Sequence, residues 1–126
     1  MIVGVGIDAV SVERIEEFDK DSPFIMKTLT EEEREAEHGN FAEYYASRFA
    51  VKEAATKALA PALAPEVFNL RQVATLCRED GSPYIVIDDY MESVMEMTGV
   101  TSLHVSITHD GGLAIAVVIA ESDVTL

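Results

Sequence analysis

The sequence predicts a single α+β domain in which a long central helix packs on a small, mostly antiparallel sheet. Three observations lead to this fold class. The chain of 126 residues suits one hydrophobic core. Its middle holds about 20 consecutive residues without Gly or Pro, most of them strong helix formers. Short β-branched or alternating segments, typical of strands, lie on both sides of that helix. We therefore assign residues 1–126 to one domain.

The chain begins with a short strand, predicted for residues 2–8 from their β-branched composition. Gly4 and Gly6 interrupt this segment, which indicates that another stretch of backbone approaches it closely. Asp8 then stands at the C-terminal end of the predicted strand. Apolar residues at helical spacing predict a helix or helical turn within residues 9–20.

Capping residues mark the start of the next two helices. Thr30 precedes three acids at residues 31–33, where the helix dipole favours negative charge, so capping alone accounts for this acidic run. Asn40 and Glu43 form a second capping pattern at the start of the central helix. Pro61 lacks an N–H group, and we expect the central helix to end there.

The central helix carries two features that bear on its partners. Small side chains recur at every fourth position and allow another backbone to approach. They are Ala42, Ala46, Ala50, Ala54 and Ala58.

Glu53 and Lys57 form an i,i+4 pair, which is either a solvated surface pair or half of a polyphosphate site. In the second interpretation Glu53 binds a divalent cation and Lys57 faces phosphates, and a second carboxylate must come from elsewhere.

The segment after the central helix predicts a turn followed by two strands. The segment APALAPEV at residues 60–67 is unusually apolar and contains two prolines, which is typical of a turn. Alternating residues predict strands at 67–77 and 84–87, joined by a hairpin at Asp80-Gly81.

The remaining third of the chain predicts one helix and one hairpin. Residues 88–97 have apolar side chains at helical spacing and end before Gly99. Residues 103–108 and 113–120 predict an antiparallel pair of strands around a tight turn at 109–112.

Charge and composition exclude several classes of function. The net charge is −14, and no Lys or Arg follows Arg78. General binding of nucleic acid or anionic membrane is therefore disfavoured, and an anionic ligand has to be held by the N-terminal half.

No apolar run is long enough for a membrane span and no basic leader precedes the first strand. Cys77 is the single cysteine and cannot form an internal disulfide. We expect a cytoplasmic protein.

Three motifs together resemble the holo-acyl-carrier-protein synthase family, the small trimeric class of phosphopantetheinyl transferases. They are GIDAVSVERI at residues 6–15, RFAVKEAATKAL at 48–59 and HVSITHD at 104–110. The resemblance covers essentially the whole chain. It implies the fold of that family, a homotrimer, and transfer of phosphopantetheine from coenzyme A to a serine of an apo acyl carrier protein, with 3′,5′-ADP as the leaving group.

The resemblance also implies roles for individual residues. Asp8 becomes the second carboxylate and binds Mg²⁺ together with Glu53, although a strand-end Asp can also cap the following helix. Lys57 then faces the pyrophosphate. By similarity, Arg48 and Lys52 lie near the coenzyme or the carrier. No side chain is assigned as general base.

Two histidines lie in the last motif. His109 matches a coenzyme A contact of the family. His104 is left open between a satisfied surface or interfacial histidine and a functional residue.

Two departures from the family pattern bear on binding. A glycine-rich loop that usually follows the central helix is replaced by the apolar residues 60–65, which reduces backbone donors and flexibility near the coenzyme. The chain is also acidic where relatives are basic, so we expect the carrier to meet a local cluster of Arg14, Lys20 and Lys27. An alternative is a non-catalytic member that binds coenzyme A or the carrier, or acts as an assembly module.

Overall fold

The computed structural model describes residues 1–63 and 67–123, and the fold class is the predicted one. The helices are α1 (Val12–Glu16), α2 (Pro23–Thr28), α3 (Glu31–Glu35), α4 (Phe41–Leu63), a 3₁₀ turn (Leu70–Gln72) and α5 (Asp89–Thr98). The strands are β1 (Ile2–Ser11), β2 (Thr75–Cys77), β3 (Pro83–Ile85), β4 (Ser102–Asp110) and β5 (Leu113–Glu121). Among the described residues, no helix combines the length and the apolar character needed to cross a bilayer.

The main sheet has three antiparallel strands in the order β1-β5-β4. β1 is longer than the predicted strand, because residues 9–11 continue the ladder against β5 as far as the pair Ser11–Leu113. Asp8 therefore pairs with Ala116 within the strand and not at its end. The helix predicted within residues 9–20 shortens to α1, which Ser11 caps by accepting a hydrogen bond from the Arg14 N–H.

Helix α4 lies against β1 with almost no space between the two backbones. A Cβ atom at Gly6 would lie 1.9 Å from the carbonyl oxygen of Ala54, and one at Gly4 would lie 1.7 Å from that of Ala58. The glycines of the strand and the alanine stripe of the helix thus meet, as both patterns predicted. The buried side chains of β5 complete the core on the same face of the sheet.

The central helix continues two residues past its predicted end. Pro61 lies inside α4, which runs to Leu63. The proline removes only one donor near the end of the helix, and Leu63 is buried in the main core, which helps to hold the final turn in place. The turn predicted at residues 60–67 is therefore wrong for residues 60–63, which belong to α4, and its residues 64–66 lie outside the described part of the chain.

The long strand predicted at 67–77 is wrong for most of its length. Asn69 caps the 3₁₀ turn by accepting a hydrogen bond from the Arg71 N–H, and only β2 remains extended and paired, with β3. Val73, Ala74 and Thr75 are all buried, because the segment is enclosed by other elements and does not alternate between core and solvent.

The last helix and hairpin agree with the prediction, with longer strands. Asp88 caps α5, and Gly99 ends it in the left-handed conformation. Gly111 and Gly112 both have positive φ and form a two-residue turn. β4 consequently extends through Asp110, and His109 lies in the strand, paired with Ala114.

Candidate active site

The contact between β1 and α4 brings together three predicted site residues. Asp8 lies on the same face of β1 as Gly4 and Gly6, so the close approach of the helix brings its carboxylate to the helix surface. The Lys57 ammonium lies 3.3 Å from Asp8 Oδ1 and donates a 2.9 Å hydrogen bond to the carbonyl of Ile7.

Asp8 and Glu53 line one cavity of about 360 Å³. Its remaining walls come from the end of β1, from α1, from Phe18 after α1, and from aromatic residues of α2 and α4; they include Ser11, Arg14, Phe24, Tyr45 and Phe49. The lining thus combines two carboxylates with several apolar side chains.

The two carboxylates of the cavity are a donor set that fits Mg²⁺. This ion typically takes one or two carboxylates from the protein and completes its octahedron with waters and phosphate oxygens. Asp8 and Glu53 supply two hard oxygen ligands. Within the described residues, no group of three or more His, Cys, Asp or Glu side chains forms a metal site, so waters or ligand oxygens would complete the coordination of an ion held by Asp8 and Glu53.

The three cations expected to meet the carrier differ in their surroundings. Arg14 is exposed and lines the cavity, and Lys27 is exposed on α2. Lys20 is engaged locally: its ammonium lies 2.7 Å from the Glu37 carboxylate and 5.2 Å from the centre of the Phe41 ring. Arg14 and Lys27 are therefore the better available charges of this cluster.

The predicted coenzyme contact of Lys52 conflicts with its burial. Its side chain has no exposed surface, and its ammonium lies 2.7 Å from Glu33 Oε1 and donates a hydrogen bond to the Val73 carbonyl. Burial lowers the pKa of Lys52, and the neighbouring Glu33 carboxylate opposes that shift. We correct the assignment: Lys52 joins elements of the fold and does not face a ligand.

Arg48 is also directed into the protein. It is only 5% exposed, and its guanidinium stacks 4.2 Å from the Tyr44 ring centre and bonds Ser47 Oγ at 3.0 Å. Another guanidinium nitrogen lies 3.5 Å from the Cys77 sulfur. Arg48 does not line the cavity of Asp8 and Glu53, so this arrangement does not support its predicted ligand contact.

Glu33 is the important residue that sequence reasoning missed. The predicted cap is present, since Glu33 Oε1 accepts a hydrogen bond from Thr30 N–H, but the same carboxylate also binds Lys52 and the Thr75 N–H. Three consecutive acids stand at residues 31–33. In the sequence, Glu33 differs from the other two only because it lies three residues after the capping Thr30, at the acidic position of a capping box. That signal explains a cap and does not reveal a fully buried ion pair.

The two histidines of the last motif lie apart from the cavity of Asp8 and Glu53. His109 is exposed, 3.4 Å from the carbonyl of Glu43, in a second cavity with acidic walls. His104 lies on the outer face of the sheet, and its Nε2 is 2.9 Å from Glu121 Oε1. The hydrogen bond from His104 lowers the pKa of Glu121. His104 is therefore a satisfied surface histidine in the single chain.

Comparison with known proteins places this geometry in one family. The chain matches a model of the 4′-phosphopantetheinyl transferase superfamily over residues 4–118. It is 38% identical to a holo-[acyl-carrier-protein] synthase of Salinispora arenicola, with 96% of this chain and 99% of that protein aligned.

Solved structures agree with these relatives. The structure of holo-[acyl-carrier-protein] synthase from Neisseria meningitidis superposes with a TM-score of 0.83 at 28% identity, covering 97% of this chain and 100% of that one. A holo-(acyl-carrier-protein) synthase from Bacillus anthracis, in complex with coenzyme A (3′,5′-ADP), gives a TM-score of 0.71 at 30% identity and covers 98% and 99%.

Proposed function

Because the chain belongs to the 4′-phosphopantetheinyl transferase superfamily, we propose that it transfers phosphopantetheine from coenzyme A to a serine of an apo acyl carrier protein. The observation that carries this proposal is the meeting of Asp8, Glu53 and Lys57 at the edge of one cavity. These residues come from the two motifs that are characteristic of the family, one on β1 and one on α4.

Asp8 and Glu53 are the residues that would hold Mg²⁺. When bound, the ion neutralises pyrophosphate charge and helps to orient the phosphorus for attack. Lys57 stands one helical turn from Glu53 and adds a mobile positive charge for the phosphates. In the transfer, the serine oxygen forms a bond to the β-phosphorus, the bond to the 3′,5′-ADP oxygen breaks, and the serine proton passes to solvent water.

The carrier is proposed to dock beside the cavity mouth. Phe18 and Phe24 stack at 5.1 Å and remain 44% and 49% exposed, and both line the cavity. Arg14 lines the same cavity, and Lys27 is exposed on α2, three residues after Phe24. An acidic carrier would find there an apolar contact bordered by cations, on a chain that is otherwise strongly acidic.

We further propose that the protein is a homotrimer with its sites between subunits. The outer face of the sheet is apolar and exposed: Val5 and Ile7 of β1 are 57% and 61% exposed, and they pair with Ile119 and Val117 of β5. Such a face is typical of a surface covered by another chain. His109 and Asp8 line different cavities of one chain, and a site formed between two copies would allow one ligand to contact both.

One incubation tests the proposed activity. The protein, coenzyme A and Mg²⁺ are mixed with candidate apo carriers, and the carrier mass is measured. We expect an increase of one phosphopantetheine on the modified serine. No increase with any carrier, together with a melting temperature that rises with coenzyme A, would favour the alternative of a non-catalytic binding module.

One specific observation favours the non-catalytic alternative: residues 60–65 replace the glycine-rich loop that is usual in the family.

We also propose a cytoplasmic location, which is consistent with a single free cysteine, Cys77.

A further inference from the structure

Lys57 is bound to the carboxylate that is proposed to hold the metal. Its ammonium lies 3.3 Å from Asp8 Oδ1 and also binds the carbonyl of Ile7. Among the described residues, it is the one cation within ion-pair distance of Asp8. Lys57 thus supplies the positive charge next to the Asp8 carboxylate in the free chain.

The contact can be exchanged readily. Lys57 is 54% exposed, and its flexible side chain ends in a point charge that can rotate away from the strand. Asp8 is only 21% exposed and is fixed in β1 by pairing with Ala116, so the carboxylate remains where it is when the lysine leaves. A solvated ion pair of this kind contributes little to stability.

Building on the proposed function, we infer that Lys57 is an exchangeable counter-ion. It neutralises Asp8 in the free protein and moves to the pyrophosphate when coenzyme A binds. In the free protein its charge repels a divalent cation at Asp8. Once the pyrophosphate provides another acceptor for Lys57, that repulsion falls. Mg²⁺ and coenzyme A should therefore each strengthen the binding of the other, and by the same factor.

This role gives one substitution opposite effects on the two ligands. Lys57→Met removes the competing charge, so Mg²⁺ should bind the coenzyme-free protein about threefold to tenfold more tightly. The same change removes a cation from the phosphates, so coenzyme A should bind more weakly. A purely structural lysine, or one that only contacts phosphate, does not predict tighter metal binding.

Calorimetric titration with Mg²⁺, without carrier and thus without turnover, tests the inference. Wild type, Lys57→Met and Arg71→Met are each titrated with and without saturating coenzyme A. Arg71 is exposed on the 3₁₀ turn, and its substitution changes the net charge equally at another place. We expect tighter Mg²⁺ binding in Lys57→Met only, and a smaller enhancement by coenzyme A in that variant than in wild type.

The outcomes separate this inference from the proposed function. If coenzyme-free Lys57→Met binds Mg²⁺ no more tightly than wild type, the exchange is overturned. The proposed function still stands in that case if Asp8→Asn loses Mg²⁺ binding. Absence of Mg²⁺ binding in every protein, with and without coenzyme A, overturns both. If Lys57→Met does not fold, the wild type decides: coenzyme A affinity that does not rise with Mg²⁺ contradicts the exchange.

Discussion

The ammonium group of Lys52 lies 2.7 Å from the carboxylate of Glu33, and neither side chain reaches solvent. The pair joins α3 to α4, and its further hydrogen bonds go to the backbone of Thr30, Val73 and Thr75. Three separate segments of the chain are thus held at one buried point. Lys52 also precedes the proposed metal ligand Glu53, so this pair helps to fix the helix from which that ligand projects.

The first prediction concerns the stability of this pair. Lys52→Met leaves a buried, uncompensated carboxylate and should lower the free energy of unfolding by about 3–5 kcal/mol. The double variant Glu33→Gln/Lys52→Met should recover part of this loss, because no unpaired charge remains. Urea denaturation measures both values. Glu32→Gln, an exposed neighbour, is the control, and a loss no larger than in that control contradicts the prediction.

The second prediction concerns the metal ligands. Asp8→Ala and Glu53→Ala should each reduce phosphopantetheine transfer by about 10²-fold or more, since both carboxylates are proposed to bind one cation. Neither side chain belongs to the core, so the melting temperature should change little. Glu96→Ala, an exposed carboxylate on α5, should keep full activity. Turnover of Glu53→Ala at the wild-type rate, with Mg²⁺ as the only metal, would show that Glu53 and Lys57 are an ordinary surface pair.

The third prediction concerns assembly. Light scattering should report three chains per particle, and Val5→Lys on the outer face of the sheet should dissociate them, because it places a charge in a proposed apolar interface. Met97→Lys is the matched control, since Met97 is also 57% exposed but lies on α5. A wild-type monomer that binds coenzyme A tightly would refute a trimer with shared sites.

The fourth prediction concerns the close contact between strand and helix. Gly6→Ala introduces a Cβ atom 1.9 Å from the Ala54 carbonyl oxygen, so it should cost about 1–3 kcal/mol or more and weaken Mg²⁺ binding by moving Asp8 away from Glu53. Gly39→Ala is the comparison, because its new Cβ atom meets no neighbour and only the positive φ is unfavourable. Equal losses of stability in the two variants would contradict a packing cause at Gly6.

The fifth prediction concerns carrier binding on an acidic protein. Added salt screens long-range repulsion over about 8–10 Å and affects close pairs less. The KM for an apo carrier should therefore change weakly with salt or even fall at moderate salt. Arg14→Glu should raise this KM while coenzyme A affinity is unchanged. A steep, monotonic rise of KM for the wild type with salt would reveal a stronger basic face than Arg14 and Lys27 provide.

The sequence alone determined the features that depend on neighbours along the chain. Gly4, Gly6 and the alanine stripe predicted a close contact of backbones, and Asp88 and Gly99 marked the ends of α5. The motifs at residues 6–15 and 48–59 indicated the family, and they contain Asp8 and Glu53, which line one cavity. Each of these rests on local conformation, on side-chain size or on a familiar pattern.

Only the tertiary structure decided which charged side chains are buried and with what. Lys52 was expected at a ligand and lies in the core, while Glu33 was explained only as part of a capped acidic run and neutralises Lys52. Asp8 was placed at the end of a strand and lies within one, because β5 is long enough to pair with residues 9–11. Burial, and the partner that makes burial of a charge tolerable, come from segments distant in sequence, and no local pattern specifies them.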